Sequence, residues 1–182
     1  MNAEPAPRRL DVKASALHGA QLGGSEPLSN YERLAADLRD SPADLMLKWS
    51  AKFSTRTGAT GGADPWLQLQ VSTRFPLVCQ RCMGALELPV AIEREFRFVA
   101  SDAIAEKEDD SCEEDLLVQT REFDLAGLIE DELVMALPLI PRHDTCPHEV
   151  PMSAVDADFE ASNVKPNPFA KLSGLVKGKD KN

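Results

Sequence analysis

Two pairs of metal-ligating side chains stand out in this 182-residue chain. Cys79 and Cys82 are separated by two residues in the segment Val78-Cys79-Gln80-Arg81-Cys82. That spacing lets two thiolates leave one turn toward a common point, the usual half of a tetrahedral zinc site. His143 with Cys146, or Cys146 with His148, offers the other half. Zinc needs four such ligands at about 2.0–2.3 Å. Sixty residues lie between Cys82 and His143, so only the fold can join the halves. The residues leave three readings open: a zinc site, a polar hairpin turn with no ion, and a redox-active dithiol in which Arg81 favours the thiolate.

Other chemistry is thinly supported. Glu130-Asp131-Glu132 lies in a helical stretch, where consecutive residues point about 100° apart and cannot converge on one metal or substrate. There is no Ser/His/Asp set, no phosphate loop and no convergent acid pair at helical spacing. A metal-dependent RNA-processing enzyme would need clustered carboxylates on a rigid frame. Residues 100–115 have the carboxylates, eight of them (including Asp109, Asp110, Glu113, Glu114 and Asp115) against Lys107. They read as a solvated loop without such a frame, suited to contact with a basic partner. Gly58-Ala59-Thr60-Gly61 matches the short loop of KH domains, but it lies between strands and not between helices. The tail offers a better phosphate contact. Lys165, Lys171, Lys177, Lys179 and Lys181 face only Asp180, a net charge of +4.

The whole chain has 30 acidic and 20 basic residues, a net charge of -10. Such a body repels phosphate and attracts basic partners. Hydrophobic residues make up 43% and charged residues 27%, as in a soluble globular protein. No apolar run approaches the roughly 18 residues a membrane span needs, and no export signal is seen, so a cytoplasmic location with reduced cysteines is expected.

The elements that must position these residues follow from periodicity. Residues 1–30, rich in Pro and Gly, read as an irregular arm. Tyr31 to Arg39 reads as a short helix. Leu45, Leu47, Trp49, Ala51 and Phe53 alternate with polar residues, as do Leu67, Leu69, Val71 and Thr73. Both runs are strands with one buried face. A third strand, from about Leu86 to Val99, follows the Cys79–Cys82 turn as an antiparallel partner. Arg94 is the one charge in its inner register. Asp124 reads as an N-cap, and Leu125, Leu128, Ile129, Leu133 and Ala136 form one stripe of a helix ending before Pro138. Glu132 falls in that stripe. Burying Arg94 or Glu132 alone would be costly, so the two are expected to meet across the sheet–helix interface. The expected fold class is α+β, a mainly antiparallel sheet with one main helix packed on it, an irregular N-terminal arm and a flexible tail. One domain is expected over residues 31–160, with the basic tail at 161–182.

Three blocks in order carry a family resemblance. They are Val78-Cys-Gln-Arg-Cys82, the segment Asp124-Leu-Ala-Gly-Leu-Ile-Glu-Asp-Glu-Leu-Val-Met-Ala-Leu-Pro138 with Leu-Ile-Pro-Arg-His143, and Pro166-Asn-Pro-Phe-Ala-Lys-Leu172. Together they resemble the YceD family over roughly residues 45–176. The resemblance implies a role in synthesis, processing or stability of 23S ribosomal RNA, with no catalytic residues. With that role, the acidic charge of the body points to a basic large-subunit ribosomal protein or assembly factor as the main partner, and the lysine tail to 23S RNA as a secondary contact. Many relatives carry a cysteine-rich, zinc-suggesting segment after the helix, where this chain has His143, Cys146 and His148. A zinc- or thiol-dependent regulatory binding module is the alternative class. The oligomeric state is not legible.

Overall fold

The structure is a computed structural model that describes residues 5–37, 45–57 and 62–148. The Gly58–Gly61 loop, the Pro166–Leu172 block and the tail lysines Lys165, Lys171, Lys177, Lys179 and Lys181 lie outside the described residues.

The alternating segments form long strands. They are β2 (Met46–Thr57), β3 (Ala63–Val78) and β4 (Ala85–Val99). Leu47, Trp49, Ala51 and Phe53 are buried together with Leu67, Leu69 and Val71, so the period-two pattern selects one face. β1 (Gln21–Pro27) and β5 (Asp115–Val118) complete a sheet in the order β1-β2-β3-β4-β5. The first four strands run antiparallel, and β5 lies parallel to β4. α4 (Leu125–Ala136) packs on the buried face. Asp124 caps it by accepting from the Gly127 N–H at 2.8 Å. Leu125, Ile129 and Leu133 are buried as their spacing requires, each contributing about 2 kcal/mol. Ala126 is buried as well, while Ala136 is exposed, so the stripe is turned slightly from the expected one.

The N-terminal residues are not an irregular arm. They form α1 (Val12–Leu17), β1, a 3-10 turn at Leu28–Asn30 and the start of α2 (Glu32–Asp37). The glycines that suggest a loop do different work in the sheet. A Cβ on Gly23 would meet the Trp49 carbonyl oxygen at 3.2 Å, so glycine permits close approach to β2. The buried Glu26 carboxylate anchors the segment. It accepts from the Ala6 N–H at 2.9 Å, from the Tyr31 hydroxyl at 2.8 Å and from Asn30 Nδ2 at 2.8 Å. Burial and the Glu26 carboxylate together raise the pKa of Tyr31.

Residues 100–115 are not a structureless loop either. They hold α3 (Asp102–Glu108), a short 3-10 turn and the start of β5. The cause is Arg97, whose side chain is only 8% exposed on the face opposite α4. It lies 3.4 Å from Asp64, 2.9 Å from Glu108 and 2.7 Å from Glu114. Burial disfavours its charge, but the Glu108 bond and the other partners outweigh that and raise its pKa. Three carboxylates from separate segments are thereby tied to one cation, and α3 covers this end of the sheet.

Arg94 and Glu132 approach to 3.4 Å across the sheet–helix interface. Only Glu132 is buried; the Arg94 side chain is 52% exposed and also reaches Asp115 at 3.6 Å. Arginine has bent to the sheet edge, keeping its head in water. Glu130 and Asp131 both hold Arg33 of α2, at 3.2 and 2.7 Å.

Two tests follow from these charges. Arg97→Ala leaves three carboxylates facing one another and should cost roughly 2–3 kcal/mol in urea unfolding, well above the effect of Lys107→Ala. Burial raises the pKa of Glu132 against the opposing pull of Arg94. Its ionisation therefore lowers stability as pH rises from the ordinary carboxyl range through the raised value, and makes no difference below that range. Glu132→Gln should gain stability relative to the parent between pH 4 and pH 7; a constant difference across that span would refute the assignment.

Candidate metal centre

The turn between β3 and β4 is built to expose sulfur inward. Cys79 N–H donates to the Gly84 carbonyl at 2.9 Å, and Met83 N–H donates to the Cys79 carbonyl at 2.8 Å. Met83 has φ 57°, a left-handed conformation that closes the knuckle. The segment after α4 returns to this turn. Gln80 N–H donates to the Pro141 carbonyl at 2.8 Å. Arg81 reaches across to the carbonyls of His143 at 2.6 Å and Asp144 at 3.3 Å.

The return brings four ligands together. One ligand atom each from Cys79, Cys82, His143 and Cys146 lies within 4.8 Å of all the others, a group that could hold a metal ion. Cys79 and Cys146 sulfurs are 3.9 Å apart, and Cys82 Sγ is 3.4 Å from His143 Nδ1. A tetrahedral zinc with ordinary bonds sets these edges at about 3.8 Å for S···S and about 3.5 Å for S···N. The donor set fits. The four thiols of the chain are free, and Cys112 stands apart from the group.

The surroundings suit the same chemistry. His143 Nε2 lies 3.0 Å from the Ala85 carbonyl, which can only accept. The proton is therefore on Nε2, and the Nδ1 lone pair faces the sulfurs, as a ligating imidazole requires. His143 N–H points at Cys79 Sγ at 3.5 Å, and Arg81 Nε at Cys146 Sγ at 3.1 Å. Burial pushes the Cys79 thiol up, but backbone N–H groups of Cys82, His143 and Arg81 outweigh it and bring the thiol down to about 5. Cys82 moves the other way. The Gly84 N–H pulls it down, yet burial and the neighbouring Cys79 and Cys146 sulfurs raise it. Closely spaced sulfurs disfavour one another's ionisation, and a cation bound among them would relieve that repulsion.

The remaining candidates are spread apart. Asp109, Asp110 and Glu113 are exposed beyond α3, while Glu114 and Asp115 are engaged by Arg97 and Arg94. The sequence placed Arg81 beside the thiols, but its reach to Cys146 and to two carbonyls spans 62 to 65 residues and was not visible in the spacing.

An α+β domain clasped at a Cys3His group defines the class. Residues 67–176, which include the knuckle, α4 and the returning segment, match the family described as "Large ribosomal RNA subunit accumulation protein YceD". The chain belongs to this family. It is 37% identical over 110 residues to the large ribosomal RNA subunit accumulation protein YceD of Haemophilus influenzae, over 58% of this chain and 62% of that protein. The match thus spans less than two thirds of that relative's length. No solved structure matches the chain.

If the group holds zinc, purified protein should contain close to one zinc per chain by elemental analysis. Cys82→Ser should abolish that content and lower the thermal midpoint by roughly 5 °C or more. Cys112→Ser should retain the metal. Chelator should destabilise the parent and have no further effect on Cys82→Ser.

Proposed function

We propose that this protein is a cytoplasmic, non-enzymatic factor that promotes accumulation of the large-subunit ribosomal RNA. The observation that carries the reading is the family match across the knuckle, α4 and the returning segment, together with a relative named for that role. Zinc would serve structurally. Four protein ligands complete a tetrahedral shell, whereas a catalytic zinc keeps a position open for water. The carboxylates best placed for catalysis are spent on structure, Glu130 and Asp131 on Arg33 and Glu132 on Arg94. The exposed acids Asp109, Asp110 and Glu113 suit a basic large-subunit protein or assembly factor, whose approach they would accelerate. The lysines of residues 165–182 would then act as a secondary tether to RNA. No helix among the described residues is long and apolar enough to cross a membrane.

Depleting the protein in its own cells should lower the ratio of large- to small-subunit RNA about two-fold or more, read by electrophoresis of total RNA. An unchanged ratio would overturn the reading. Replacing Asp109, Asp110 and Glu113 with Ser and Gln should slow association with the basic partner at low salt and lose its effect at high salt.

A further inference from the structure

α4, α1 and α2 cover one face of the sheet, while the other is open except where α3 and Arg97 close one end. Cross-strand register places the outward side chains in rows. Ser25, Lys48, Ser72 and Ala91 form one row, and Gly23, Ser50, Gln70 and Glu93 the next. Gln21, Lys52, Gln68 and Glu95 form the third. The first row is mostly small residues, the second is mixed, and the third is made entirely of long polar side chains.

The charges on this face are sorted. Lys48, Lys52 and Arg56 recur every four residues along β2, so consecutive cations are about 13 Å apart on one face. Glu95 is held by Arg56 at 2.7 and 3.0 Å, and Glu93 accepts from Gln70 at 3.1 Å. Among the described residues Lys48, Lys52 and Arg74 have no carboxylate partner, in a chain of net charge -10. A groove of about 670 Å³ runs between Lys48 and Arg74 over Ser72, Pro89 and Ala91, and no carboxylate lines it. A second groove of about 480 Å³ continues from it over Ser50 and Gln70 and is bounded on the β4 side by the Glu93 carboxylate. Farther along, the Arg56 guanidinium lies 4.2 Å above the Trp66 ring and is still 44% exposed. It presents a fixed planar cation to solvent.

We infer that this open face binds single-stranded RNA, with Lys48, Lys52 and Arg74 on the phosphates and the Arg56 plane under a base. Every base has a face that stacks on a guanidinium, and Ser and Gln side chains can bond sugar hydroxyls and base edges. An acidic peptide would satisfy the cations but would leave that plane and the Gln68 amide unused, and it would meet the Glu93 carboxylate beside them. The choice of RNA rests on the large-subunit reading; the sorting of charge does not.

The test is fluorescence anisotropy of the full chain with a short labelled single-stranded RNA across a salt series. The triple change Lys48→Ala, Lys52→Ala and Arg74→Ala should weaken binding at least ten-fold and flatten the slope of log K against log salt by about 2, since each phosphate contact on a single strand contributes about 0.7. Arg56→Lys keeps the charge, so it should weaken binding with little change in slope. All four positions are exposed, and circular dichroism should show the fold unchanged. The inference is overturned if the parent does not bind, if the triple variant binds like the parent, or if removing residues 165–182 alone abolishes binding. It is also overturned if polyglutamate displaces the probe as well as unlabelled RNA does. Each of these readouts is independent of the cellular RNA ratio, so failure here and failure of the biogenesis reading are separable.

Discussion

The structure depends on one closure, the return of the chain after α4 to the turn between β3 and β4. From Pro138 to His148 the chain is mostly exposed, with Leu139 fully so and Ile140 at 63%. It lacks the buried apolar contacts that would fix its path. Its position comes from hydrogen bonds at the knuckle, Gln80 to Pro141 and Arg81 to His143 and Asp144. These bonds sit at the surface, where each is worth only about 1 kcal/mol. A metal ion linking Cys79 and Cys82 to His143 and Cys146 would convert a weak closure into a strong one, because metal affinity then becomes folding free energy.

Net charge describes this protein poorly. The acids of residues 100–115 suggest uniform repulsion of polyanions, yet Glu108 and Glu114 are turned inward onto Arg97, with Asp64 from β3 as third partner. Other acids are matched by arginines at the α2–α4 and β2–β4 contacts. Asp109, Asp110 and Glu113 leave unspent negative charge beyond α3, and on the open face unspent positive charge lies on β2 and β3, with the carboxylates Glu87 and Glu93 on the neighbouring β4. Two partners of opposite sign can then be met on different surfaces. That is a reasonable requirement for a factor working where basic proteins meet RNA.

Strands β2, β3 and β4, α4 with its Asp124 cap, and the approach of Arg94 to Glu132 were legible from sequence, because each rests on local periodicity or on the cost of burying a charge. The cysteine and histidine pairs were legible as ligands by type and spacing. The N-terminal segment was misread because glycine and proline signal loops only when no neighbour claims them. Gly23 is where β1 must approach the Trp49 carbonyl, a demand that exists only once β2 is beside it. α3 was missed for a related reason, since an acidic run looks solvated until a buried cation such as Arg97 lies within reach.

By itself, the sequence determined the α+β class, the inward faces of the strands and helix, the four candidate ligands and the family resemblance. All are carried by short-range spacing. Tertiary structure decided whether the two ligand pairs meet, which carboxylates are spent on arginines, and which lysines share one open face. Those are distances between residues far apart in the chain, such as Cys79 and Cys146 or Arg33 and Asp131. Chain periodicity constrains direction along an element but not the separation between elements, and packing of the sheet against α4 supplies that separation.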